Sequence, residues 1–182
     1  MEMLVAITVI GVGLFAAANI VYSNLNLVDR NTDEVISINM AREGVELAKQ
    51  LRDSNWLAGN PFDQGTSSTV DYTGTPVWDG ISAPSFNFTA NTLSDANASV
   101  VKLASGMYAN AVGAILTGTP TGYARLVTFH PICNDQSVLN SGSTCESVGK
   151  LKIGIRVESQ VKWTRKTITK TIAIFEDLYD WK

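Results

Sequence analysis

Residues Met1–Tyr22 read MEMLVAITVIGVGLFAAANIVY, an apolar run whose single charged residue is Glu2. As a helix rising ~1.5 Å per residue, roughly 20 such residues match the ~30 Å hydrocarbon core of a bilayer. A cleaved secretory signal has a positive n-region and an apolar core of only ~7–15 residues. Here the early charge is negative and the run is longer, which disfavours that reading. A buried core helix is disfavoured as well, because a carboxylate inside a wholly apolar segment is costly unless it is paired. The stretch therefore sets the architecture: a membrane-compatible helix, with a domain built around its continuation.

Gly11 and Gly13 flank Val12 within this run, and Ala16, Ala17 and Ala18 follow. Small residues let helices approach closely in lipid or in a dry bundle. Glycine is also simply frequent in membrane helices, which is the competing explanation. Each glycine weakens a helix by roughly 1 kcal/mol relative to alanine, so bending is expected around Gly11–Gly13.

After Tyr22 the polarity changes through Ser23, Asn24, Asn26, Asp29 and Arg30. Asn31 and Glu34 have capping-box spacing, so the helix either restarts there or runs on unbroken. Beyond Val35 an amphipathic stripe of Ile38, Ala41, Val45, Ala48 and Leu51 is widened by Ile36, Met40 and Leu47. That spacing predicts a helix laid on a core by one face, with Arg42, Glu43, Glu46, Lys49, Arg52 and Asp53 mainly off it. Gly59 and Pro61 supply a stop. With both halves helical, Glu2 to Leu57 makes a rod of roughly 80 Å, whose apolar half is expected to project from the domain.

With 182 residues, the chain accommodates one domain of ~150 residues behind the helix. The formal net charge is -3 and no basic cluster occurs, which argues against a nucleic-acid surface. Asn60 to Val100 is rich in Gly, Ser, Thr, Asn, Asp and Pro and reads as a long ordered connection with short strands, pinned by Trp78, Phe86 and Phe88. Its sequons at Asn87 and Asn97 match a pattern that arises readily by chance. The period then changes to that of strands. Val100–Tyr108, interrupted at Gly106, is one candidate and Tyr123–Ile132 a second. The clearest alternates Leu151, Ile153, Ile155 and Val157 with Lys152, Gly154, Arg156 and Glu158, extended by Val161 and Trp163. A turn at Trp163–Thr167 returns the chain as Thr167–Phe175. The expected fold is α+β: a long N-terminal helix, apolar in its first half and amphipathic in its second, packed on a C-terminal antiparallel sheet. The expected layout is a hydrophobic helix over 1–30 and a globular domain over 31–182, made of helix 31–58, loop region 59–99 and sheet 100–182.

Cys133 and Cys145 lie in a Ser/Asn/Gly-rich stretch that a membrane-anchored chain exposes outside the cytoplasm, so we read them as a disulfide rather than two thiols. Nothing points to an enzyme. His130 has no second histidine to make a metal site and reads as structural or solvated. No nucleophile elbow or phosphate loop occurs, and Glu176, Asp177 and Asp180 read as a solvated or subunit-facing rim. No catalytic residue, metal ligand or cofactor is expected.

Glu2-Met3-Leu4-Val5-Ala6-Ile7, a lone glutamate followed by Leu-Val-Ala-Ile and an apolar helix, resembles the start of mature type IV pilins and type II secretion pseudopilins. The stretches Ala41–Glu46, Leu51–Trp56 and Asp177–Lys182 also look like those of bacterial pilin-like sequences. In that family the glutamate is the fifth mature residue, whereas here only Met1 precedes it. The departure implies either that a leader and the first mature residues lie outside this sequence or that processing is unusual; we favour the former, and cleavage and methylation are assigned to no residue here. The resemblance implies a structural subunit of a bacterial type IV pilus or pilus-like filament, with Glu2, Gly11 and Gly13 in filament assembly. Glu2 would neutralise the N-terminal amine of a neighbouring subunit. Independently, a carboxylate in an apolar bundle needs a cation, and the sequence has none before Arg30. The implied partners are copies of itself or other pilins, and the cytoplasmic membrane before assembly, with no nucleic acid or small-molecule substrate. The implied destination is an extracellular cell-surface filament. A minor pilin or secretion pseudopilin is the alternative within the family; a membrane-anchored extracellular ligand-binding module is the alternative outside it.

Overall fold

The computed structural model describes residues 2–67, 72–77, 84–90, 92–111, 118–165 and 167–180. The chain divides into two compact units, Met1–Ile36 and Ser37–Lys182. A single helix, α1 (Glu2–Ala58), continues through Asn31 and Glu34 without the break that their spacing allowed. Nearby, the Thr32 hydroxyl donates back to the Val28 carbonyl at 2.9 Å, an arrangement that leaves the helical ladder in place. At the far end Gly59 adopts φ +74°. Its amide donates to the Trp56 carbonyl at 3.1 Å, and that of Asn60 donates to the Asn55 carbonyl at 2.9 Å. This paired closure, with a left-handed residue just past the helix, is why glycine sits there.

Among the described residues of the second unit seven strands follow, all paired antiparallel: β1 (Thr73–Val77), β2 (Ser85–Asn87), β3 (Ser99–Lys102), β4 (Tyr108–Asn110), β5 (Thr119–Cys133), β6 (Lys152–Arg165) and β7 (Ile168–Tyr179). The fold is α+β, as the periodicities predict. β5 is the hub. One side of it carries β6 from Tyr123 to Cys133. Its other side is shared, by β3 near its start and by β1 at Val127 and Thr128. β2 adds to β1, β4 adds to β3 and β7 adds to β6. β1 and β2 are short strands within the connecting region, as expected of it.

β6 shows the two-faced alternation most plainly: Ile155, Val157, Ser159, Val161 and Trp163 are buried while Arg156, Glu158, Gln160 and Lys162 are only partly so. Leu151 departs from the expectation. It precedes β6 and is 69% exposed. β7 begins at Ile168 and runs past Phe175 to Tyr179, longer than its β-branched core suggested.

Within this unit α1 buries Ser37, Met40, Ala41, Gly44, Val45, Leu47, Ala48, Leu51 and Asn55. The predicted stripe is therefore correct from Met40 to Leu51, while Ile36 and Ile38 stay partly exposed. Gly44 sits at a close approach of helix and sheet: an added Cβ would collide with Ser159 Oγ and stand 3.1 Å from Val127 Cγ2. Val45, Leu47, Ala48 and Leu51 pack with Val127, Phe129, Ile155, Val157 and Leu178. Phe86 joins that core edge-on to Phe129, with ring centroids 4.9 Å apart, and Phe88 lies 6.5 Å from the same ring. On the opposite face of the sheet Ala124 and Leu126 are covered by Ala90, Leu93 and Ala98. The connecting region thus supplies part of both packed layers. Trp78, also expected to anchor it, lies outside the described residues, as do Met1, Lys166, Trp181 and Lys182.

Candidate functional site

The first unit is the most unusual surface of the molecule. From Met3 to Val28 its large apolar side chains are exposed on every side of the helix, with Leu4, Ile7, Leu14 and Phe15 each more than two-thirds accessible. A helix that is apolar all round is one destined for burial, in lipid or in a bundle. By length and composition this one is able to cross a membrane. Its polar side chains are arranged to suit: Thr8 Oγ1 donates to the Val5 carbonyl at 2.8 Å and Asn26 Nδ2 to the Tyr22 carbonyl at 2.9 Å. Such self-satisfied donors reduce the cost of an apolar surrounding.

Glu2 occupies the first turn of α1, where a negative charge complements the exposed amides of the helix start. Gly11 and Gly13 lie roughly two and a half and three turns further on, and a Cβ built at either position meets nothing within 4 Å. Their lack of a side chain is therefore not required by packing inside this unit. The helix continues through both without interruption.

A second candidate region is the loop after β5. Cys133, the last residue of that strand, is bonded to Cys145 with their Cα atoms 5.6 Å apart, and both are fully buried. Closing a loop of about 13 residues contributes on the order of 3 kcal/mol in the chain-entropy description. Inside the loop the Cys133 amide donates to the Ser137 carbonyl at 2.9 Å, and the Gln136 amide to the Cys133 carbonyl at 2.8 Å. Gln136, which closes that turn, takes φ +65°. Asp135 accepts from the Ser137 hydroxyl at 2.6 Å and pairs with Lys150. The Lys150 ammonium, followed by the Ser137 hydroxyl, holds the Asp135 carboxyl well below the ordinary carboxylate range. The loop is thus braced by a covalent bond and by side chains at its exposed rim.

The third feature was not foreseen. Arg125, on β5 and only 2% exposed, donates from Nη1 to Glu43 at 3.0 Å and to the Met40 carbonyl at 3.3 Å, and from Nε to Asn110 Oδ1 at 2.9 Å. Asn110 in turn donates to the carbonyls of Ala98 and Arg125 at 3.1 and 3.2 Å. Burial pulls the guanidinium pKa down from its usual value, opposed by the Glu43 charge. The clue was available: Arg125, Val127 and Phe129 share the inward parity of β5. A cleft of about 260 Å³ opens beside this cluster, walled by Leu47, Pro76, Val77 and Tyr108.

The carboxylates expected to form one rim are separated by strand alternation. Glu176 faces α1 and pairs with Lys49 at 2.7 Å, whereas Asp177 faces away and accepts two bonds from Arg156, at 2.6 and 2.8 Å. They are bound to cations of their own chain on opposite faces of the sheet. His130 lies on the face of Asp177, with Nε2 3.1 Å from Glu158 Oε2. Among the described residues no group of His, Cys, Asp or Glu is placed to hold a metal. No family model matches the chain, and no curated protein or solved structure shows significant similarity to it.

Proposed function

We propose that the chain is a structural subunit of a bacterial type IV pilus or pilus-like filament, held in the cytoplasmic membrane by its apolar helix and drawn from there into the filament. The observation that carries this reading is the helix of Met3–Val28, apolar on every side and exposed in the isolated chain. Such a surface needs lipid first and neighbouring helices afterwards. Head-to-tail contacts whose rotation does not close generate a fibre, and the same surface then serves every subunit. In that packing Glu2 meets a cation supplied by a neighbouring chain, and Gly11 and Gly13, which no packing inside the unit explains, let helices approach. The test is to shear surface filaments from cells producing the chain and identify peptides in the filament fraction. Abundant peptides of this chain support the proposal; their confinement to the membrane fraction overturns it. Trace amounts beside another subunit would place the chain among minor pilins or secretion pseudopilins.

A second reading, a membrane-anchored extracellular module that binds a small ligand, is favoured by the cleft beside Arg125, where an apolar wall meets a buried cation. Confinement to the membrane fraction is the outcome it requires.

A further inference from the structure

β7 pairs with β6 along its whole length, and no described residue pairs with its other side. The register determines what that side presents. The Asp180 amide donates inward to the Ile153 carbonyl at 3.0 Å, continuing the pairing of Gly154 with Tyr179 and Ile155 with Leu178. Antiparallel ladders alternate, so even-numbered residues of β7 turn their amides and carbonyls inward, and Thr169, Thr171, Ala173, Phe175 and Asp177 turn theirs outward. None of these is proline, and the strand is 12 residues long. A row of unpaired donors and acceptors of this length is a template for another strand. Its side chains are β-prone and open to solvent, Ile168 at 55% and Phe175 at 57% exposure.

We propose that β7 is an association surface for a second copy of this chain, the two β7 strands pairing antiparallel about a two-fold axis through Ala173. A two-fold axis perpendicular to the sheet joins like face to like face, so each residue meets one of its own parity. Centred on Ala173, Lys170 faces Glu176 of the second copy, twice over by symmetry, as a second cation beside the Lys49 that Glu176 already meets in its own chain. Ile172 then faces Ile174 and Ile168 faces Leu178 on the helix-bearing side, while Thr171 faces Phe175 on the other. Centring on Ile172 instead sets Lys170 against Ile174 and Glu176 against Ile168. Centring on Ile174 sets Lys170 against Leu178 and Glu176 against Ile172. Opposite charges and β-branched pairs favour the first register, and this self-complementarity is the reason the occupant is the chain itself. The pairing makes no use of the apolar helix, so it stands or falls separately from filament assembly.

Cysteine crosslinking of the full chain in detergent tests the register. Both native cysteines are engaged with each other, so Ala173→Cys introduces one free thiol. Across a hydrogen-bonded antiparallel pair the Cα atoms stand ~5.5 Å apart, within the ~4.4–6.8 Å that a disulfide spans. Thr169→Cys is the control, since its two copies would lie roughly 27 Å apart along the paired strands. Mild oxidation is expected to yield at least tenfold more covalent dimer from Ala173→Cys than from Thr169→Cys. Ala173→Pro removes one outward amide while sparing the inward ladder, and is expected to keep the thermal transition but lose the dimer in size-exclusion chromatography. Equal crosslinking at 169 and 173, or undiminished association of the Ala173→Pro variant, overturns the proposal.

Discussion

Arg125 on β5 and Glu43 on α1 form an ion pair 3.0 Å long whose cation is buried and whose anion is partly open to water. The asymmetry sets the energetics. Glu43→Gln leaves the buried guanidinium a neutral acceptor in place of the charge, for an expected loss of about 1–3 kcal/mol. Arg125→Ala also abandons Asn110 and opens a cavity, for about 3–5 kcal/mol. Arg125→Met, closer in volume, is expected to fall between the parent and Arg125→Ala. Urea midpoints of the full chain in detergent rank the variants, and midpoints equal to that of the parent would refute a structural role for the pair.

Gly44→Ala forces a methyl group against Ser159 and Val127. Overpacking of this kind costs typically 1–3 kcal/mol, or a drop in Tm of roughly 2–12 °C for a chain of this size. Ser159→Ala removes the nearest atom, so the double variant is expected to recover part of the loss. Additive effects of the two substitutions in differential scanning calorimetry would show that the helix approaches the sheet less closely than described.

The sheet is expected to weaken in acid partly through Asp177. Hydrogen bonding to Arg156 lowers its pKa from the ordinary value of 3.8, against the opposing effect of burial. A carboxylate with a depressed folded pKa stabilises the native state fully above its unfolded pKa and loses that contribution as pH falls through the folded one. Asp177→Asn should therefore be less stable at neutral pH but decline less steeply below about pH 4. Thermal melts between pH 7 and pH 2 test this, and parallel curves would remove Asp177 from the account.

Glu2→Gln keeps the shape of the side chain and removes its charge. On the proposed function it should cut the yield of sheared filaments at least tenfold while leaving the thermal transition of Ser37–Lys182 unchanged. Filament yield equal to that of the parent would eliminate charge pairing by Glu2 from the assembly mechanism.

Periodicity made the long elements readable. The stripe from Met40 to Leu51 and the alternation through Ile155 and Val157 each report one local geometry repeated many times, and both correspond to buried faces. Leu151 was misassigned because alternation alone does not mark where pairing begins; β6 starts one residue later. Short strands were legible in the Gly/Thr/Pro-rich connection, but not where β1 and β2 lie, since β1 is placed by β5, dozens of residues away, and β2 by β1. Arg125 escaped notice for a related reason. A charged residue at an inward position makes sense only with Glu43, 82 residues earlier, and Asn110, 15 earlier, in place. The cysteines were readable because two were present and the membrane-compatible helix suggested their compartment.

The position of β5 as hub also sets an order of events during synthesis. α1, β1 and β3 emerge from the ribosome before the strand on which they pack or pair has been made. Until then Val45, Ala48, Leu51 and Phe86 have no sheet to cover. The β5–β6–β7 meander, by contrast, joins strands that follow one another directly, and contacts between near neighbours in sequence form fastest. Folding of the unit therefore waits for its later-made half, and the earlier-made half stays an adhesive surface for the time translation takes to reach Thr119.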